Sequence, residues 1–241
     1  MAVVAGAGLL SLWSLFSKLN SRKEIRPVGI ALNFAVIGII LFITGVHTTL
    51  TWPLSPTYPF DNSAFGEPCF VFGALLLAMA FYFWKEREQL NLIGNEKLIS
   101  HIFQDFNSFK YILVGLGLGL IMIGIAGIKY KIFIAPPEEP IVGPLEKKIP
   151  YITTYMIGLT WMAVGVAAIG FVAYMNAVLS NKKASFKWLI KLIGLLGIVF
   201  MLIGVTTYYS HIGMEINTMD PSTVKPNVIM NPDEKFQKLK N

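Results

Sequence analysis

The stretch "VGIALNFAVIGIILFITGVHTTLTWPL", Val28 to Leu54, decides the fold. From Val28 to Val46 it carries no ionisable side chain. Backbone polar groups in hydrocarbon must bond internally, so a run of this kind becomes a helix. A span needs about 20 apolar residues, and the pattern predicts a helix over Val28–Thr51. The run then closes on His47, Thr48, Thr49, Thr51, Trp52 and Pro53. Threonine hydroxyls can bond back to carbonyls as a helix ends, and Pro53 and Pro56 cannot continue it. Such an end is either a membrane helix reaching water or the rim of a site.

Five further runs extend this reading. They are Ala2–Phe16, Phe70–Trp84, Tyr111–Ile128, Tyr151–Leu179 and Leu189–Tyr209. The 241-residue chain is 54% hydrophobic and 14% charged. Soluble domains carry about 25% charged residues. The expected fold is all-α: a polytopic bundle of six transmembrane helices over residues 1–210, with a C-terminal tail over 211–241. The first run is short, lacks a basic start and precedes no A-x-A-type site, so it is expected to stay as a packed helix rather than leave as a signal peptide. The single cysteine, Cys69, excludes an internal disulfide framework.

The net charge of +6 resides in loops. Lys18, Arg22, Lys23, Arg26, Lys85, Arg87, Lys97, Lys110, Lys182, Lys183, Lys187 and Lys191 flank alternate ends of the spans, and the opposite loops hold Lys129, Lys131, Lys147 and Lys148. Lipid phosphates account for this distribution better than nucleic acid does. The positive-inside rule places the richer loops in the cytoplasm and both termini, with the tail, outside. Trp52, Tyr58, Tyr130, Tyr151, Tyr155, Tyr208 and Tyr209 then mark the outer interface, and Tyr82, Trp84, Phe186 and Trp188 the inner one.

Three segments align without gaps: "GIILFITGVHT" (38–48), "LIMIGIAGIKY" (120–130) and "GIVFMLIGVTT" (197–207). Each even-numbered span thus reads as one copy of a unit of helix, basic loop and glycine-bearing helix, used three times. Glycine lets backbones approach closely. Gly115 and Gly119 form a GxxxG pair, while Gly38/Gly45 and Gly197/Gly204 are seven apart. The even spans are therefore expected to make the inner contacts, with Leu, Ile and Phe of the odd spans facing lipid.

No Asp, Glu, Lys, Arg or His lies at mid-depth in any span. Charges retained there usually mark ion paths or proton relays, so an ion-coupled transporter or pump is disfavoured. C-x-x-C, H-E-x-x-H, P-loop and GxSxG motifs are missing. In "EKLISHIFQDF", Leu98, Ile102, Phe106 and Phe109 recur at helical spacing beside His101, which predicts an amphipathic interfacial helix.

Candidate site residues lie on the outer rim. His47 closes the second span, His211 follows the sixth, and Glu67 opens the third in "FGEPCF", with Cys69 and Tyr58 near by. Two neutral imidazoles could bind copper or haem iron, or hydrogen-bond a quinone carbonyl. Equally, interfacial histidines can simply end helices and meet water. Met214, Met219 and Met230 are soft ligands in principle. Glu67 and Pro68 also suit a helix start, the carboxylate for the dipole and the proline for the first turn. No cofactor is required by any motif.

The paired motifs H-x-T-x-T-W-P (His47–Pro53) and F-G-E-P (Phe65–Pro68) give residues 38–84 a likeness to a known family. The segment resembles the archaeal and actinobacterial membrane family catalogued as domain of unknown function 981. The resemblance implies a multi-pass membrane protein and supplies no activity, cofactor or catalytic residue. The expected role is that of a non-catalytic subunit of a larger membrane complex, in the respiratory class among others. Its partners would be other membrane subunits, reached through the glycine-bearing helices and the tail. The alternatives are a redox protein with the outer-face site, and a small-molecule channel or transporter.

Overall fold

The computed structural model describes residues 1–51, 60, 62–182 and 186–218. Among these, nine α-helices and no strand occur. They are α1 (Ala2–Asn20), α2 (Pro27–Leu50), α3 (Glu67–Lys85), α4 (Arg87–Leu92), α5 (Asn95–Phe106), α6 (Lys110–Tyr130), α7 (Gly143–Lys148), α8 (Ile152–Leu179) and α9 (Lys187–Thr218). Six of them (α1, α2, α3, α6, α8 and α9) are long and apolar enough to cross a bilayer. At 1.5 Å per residue the 24-residue α2 spans about 36 Å, enough for a hydrocarbon core of about 30 Å. Leu32, Val36, Ile40 and Ile43 point outward along its middle, where lipid is the solvent that suits them. Expectations for Trp52, Pro53, Pro56, Tyr58, Met219, Met230 and the tail beyond Thr218 fall outside the described residues.

Tight packing runs between α2 and α3, α6 and α8, and α9 and α1. Each is an even span against the odd span that follows it, and the last pair closes the series onto the first. The close pairs therefore straddle the units expected from sequence instead of coinciding with them. Asn33 on α2 donates to Ser11 of α1 at 2.7 Å, and Ser11 donates on to the Ala7 carbonyl at 2.8 Å. This joins one close pair to the next.

Glycine sets the close pairs. A Cβ on Gly73 would lie 2.5 Å from the Phe42 nitrogen and 3.0 Å from the Gly38 oxygen. One on Gly6 would lie 2.6 Å from the Met201 nitrogen and 2.9 Å from the Gly197 oxygen. One on Gly165 would strike the Gly117 oxygen and come within 3.1 Å of the Ile121 nitrogen. Gly38, Gly117 and Gly197 are thus equivalent, and seven residues on, Gly45, Gly124 and Gly204 seat Phe70, Met162 and Val3. The repeat is real, but its middle copy is displaced by three residues from the gapless alignment. Gly127, which the alignment matches to Gly45, instead seats the ring of Phe133 as the chain turns back after α6.

Two other expectations are corrected. The GxxxG pair Gly115 and Gly119 makes no inner contact: nothing lies within 4 Å of a Cβ at either position. It occupies the outer face of α6, with Leu118 and Met122 exposed beside it. The odd spans also do more than face lipid. Leu15 and Phe16 of α1, Leu76 and Phe83 of α3, and Tyr174 and Met175 of α8 are all buried. The physical reason is that a seven-residue glycine spacing orients one stripe toward one neighbour. It does not put the whole helix at the centre.

Amphipathic α5 forms as the spacing predicts, but its apolar face meets protein. Leu98, Ile102 and Phe103 are each at most 2% exposed, packed under α1 and α8. Phe103 lies 5.6 Å from Phe171 and 5.3 Å from Tyr174, both near edge-on. At the same basic end Arg22 meets Glu96 at 2.5 Å, and both side chains are mostly exposed.

Candidate functional site

The end of the bundle bearing Met1 and the last turns of α9 holds the sequence-predicted site residues. α2 ends as expected, with Thr44, Thr48 and Thr49 donating to the carbonyls four residues back. Two carbonyls at this end are met by a residue that the sequence did not single out. Asn62 is 2% exposed, and its amide donates to Thr48 and, at 2.7 Å, to Thr51. It sits in a π-helical turn, Asn62–Gly66, that leads directly into α3. Gly66 is required there, since a Cβ would lie 2.9 Å from the Thr49 hydroxyl oxygen. "FGEP" is thus a helix start, with Glu67 in the first turn and Pro68 beside it.

His47 and Glu67 are exposed on α2 and α3. His211 is also exposed, within α9 rather than past its end. It lines a shallow depression with Met1, Val3, Thr207 and Tyr208, in the groove between α1 and α9. α1 packs against both α2 and α9, so its Met1 end runs between the two histidine-bearing helices. Cys69 is buried in the first turn of α3 and lines the interior. No group of three His, Cys, Asp or Glu among the described residues is close enough to hold a metal ion.

Two glutamates missed by the sequence reading organise this end. Glu139, in the loop after α6, is 7% exposed. Its Oε2 accepts from the backbone N–H groups of Ile141 (2.9 Å), Val142 and Gly143 (3.0 Å), and its Oε1 accepts from the Ser210 hydroxyl. Burial by itself would raise the carboxyl. Ser210 and the three N–H groups outweigh it and hold the carboxyl below its ordinary value. The loop is thereby latched to α9 one residue before His211. Glu146 of α7 does similar work for α8. It accepts from the Tyr151 N–H at 2.5 Å and from the N–H and hydroxyl of Thr153 at 3.1 and 2.6 Å. In sequence both look like ordinary loop charges, and no local spacing distinguishes them.

A second concavity lies inside the bundle. A cavity of about 160 Å³ lies among α1, α3, α6, α8 and α9, and every side chain lining it is apolar, Cys69 included. Aromatic layers bound it at both ends. Toward the terminal end, Phe65 lies 5.9 Å from Trp161 and 6.0 Å from Phe133, and Trp161 lies 5.7 Å from Phe200. Toward the basic end, Phe16, Phe103 and Phe171 cluster, and Phe106 packs edge-on to Tyr82 at 5.0 Å. Nothing in its lining could hold a charged or strongly polar solute.

The family model described as "Protein of unknown function (DUF981)" matches residues 1–214, so the chain belongs to that family. The match takes in the first five long helices whole and α9 as far as Met214, and extends well beyond the motifs at residues 38–84. No curated protein and no solved structure matches the chain.

Proposed function

We propose that this protein is a non-catalytic integral-membrane subunit of a larger membrane assembly, with both termini outside the cytoplasm. The observation that carries the reading is the open stripe Gly115 and Gly119 on the outer face of α6. Gly38, Gly45, Gly117, Gly124, Gly197 and Gly204, by contrast, each seat a neighbouring helix within the chain. This pair is the one GxxxG set left for a helix from elsewhere, and small residues at that spacing let a partner helix approach closely. The basic end, with Lys18, Arg22, Lys23, Arg26, Lys85 and Arg87, supports the orientation. The glutamates described above serve as latches and caps, which fits a scaffold better than a reaction centre.

Purification from native membranes in mild detergent tests the proposal. The expected result is a stoichiometric complex with a second membrane polypeptide. The double variant Gly115→Leu/Gly119→Leu should release this chain as a folded monomer, because neither position touches its own bundle. A homogeneous lone monomer from native membranes would refute the subunit role. A homodimer would refute a heterologous partner.

A further inference from the structure

We propose that the interior cavity holds the end segment of a hydrocarbon chain from a bilayer lipid, admitted sideways between α3 and α6. The inference needs the membrane-spanning bundle but not the subunit role. Its walls include Phe16, Leu76, Phe103, Trp161, Ala167 and Leu196, and no polar group faces in. The aromatic layers of Phe65, Trp161 and Phe200 above, and of Phe103 and Phe106 below, close it to both aqueous sides. α1 and α3 meet loosely, but α2 covers that seam from behind by packing on both. The seam between α3 and α6 is equally loose, and among the described residues no helix packs closely on both. There Leu75 and Met79 of α3 face Leu113 and Leu116 of α6 across the opening, all partly exposed.

These features select the occupant. Water is excluded because the lining offers it no partner; apolar cavities of comparable size stay dry and accept a molecule about as large as benzene. A cavity of about 160 Å³ therefore takes roughly six carbons of a chain. Unfilled, its wall atoms would forgo dispersion contacts. In the plane of the membrane the available hydrocarbon is the chain of a neighbouring lipid, whose head group stays at the interface while its tip turns inward.

Trp161 lines the cavity and is 6% exposed, which makes it the reporter. A version with Trp13, Trp52, Trp84 and Trp188 replaced by Phe is reconstituted into phosphatidylcholine vesicles. The lipids carry bromine near the chain end or near the carboxyl. Chain-end bromine should quench Trp161 at least twofold, and more than carboxyl-end bromine. Ala168→Phe fills the cavity from α8 and should remove most of that quenching; Ala168→Leu, a smaller filler, should remove part and serves if the first fails to fold. Val166→Phe, on the exposed outer face of the same helix, should leave quenching unchanged. Equal quenching in all variants would place the lipid outside the bundle and overturn the proposal, as would no quenching of the parent protein.

Discussion

Substituting Gly73 by Ala tests the packing logic of the bundle most directly. The added Cβ would lie 2.5 Å from the Phe42 nitrogen and 2.9 Å from its Cα, where 3.4 Å begins ordinary contact. Both atoms are backbone, so no side chain can swing aside and α2 must retreat from α3 by about 1 Å. In lipid the association of helices rests on van der Waals packing more than on hydrophobic burial. A gap of 0.5–1 Å forfeits a quarter to a half of each contact's well. Overpacking a filled interface costs about 1–3 kcal/mol, and a rigid backbone clash belongs in the upper half, about 2–3 kcal/mol. Gly6→Ala should cost a similar amount, since its Cβ would meet Met201 at 2.6 Å. Gly115→Ala is the control, with nothing within 4 Å. There the exchange should be neutral or stabilise by up to about 1 kcal/mol through helix propensity. Reversible unfolding of the purified chain in mixed micelles reads all three. If Gly73→Ala and Gly115→Ala unfold at the same detergent fraction, glycine-seated pairing is not what holds α2 to α3.

Other outcomes follow from the terminal and basic ends. The Glu139 carboxyl is held below its ordinary value of 4.5. Its contribution is therefore complete above that value and is lost as pH falls through the folded-state value; melting temperature against pH should show this drop, and Glu139→Gln should flatten it. Asn62→Ala strips a donor from the Thr48 and Thr51 carbonyls and should cost about 1–3 kcal/mol in the same unfolding assay, with unchanged stability refuting the cap. Arg22→Gln breaks an ion pair whose members are both mostly exposed, so it should change stability by less than about 1 kcal/mol.

Much of the fold was legible because a bilayer imposes a one-dimensional rule. Each apolar run must be a helix, and the six runs are the six long helices of the structure. The true helices extend a turn or more past several predicted ends, as at Asn20 and Thr218. Hydropathy falls at the interface before helical hydrogen bonding stops. The repeat was visible too, but its register was not. Leu120 and Gly117 are both compatible with an apolar helix, and only the clash of a Cβ with the facing backbone tells them apart.

The candidate site was less legible. His47, Glu67 and His211 stand out as rare polar residues near span ends, and rarity says nothing about whether they meet. Asn62, Glu139 and Glu146 carry the hydrogen bonding of that end, although their neighbours in sequence are unremarkable turn formers. Their partners lie 2 to 71 residues away, and a loop's path between helices is set by packing.

Composition and period alone thus determined that the chain makes six long apolar helices with basic residues gathered at one set of ends. Both follow from local solvation, which each residue carries wherever it goes. Tertiary structure alone decided which helices pair, which glycines are filled and which stay open, and that an apolar cavity remains among the odd spans, α6 and α9. Those outcomes depend on distances between backbones far apart in sequence, and contact at 3 Å is a property of two surfaces together.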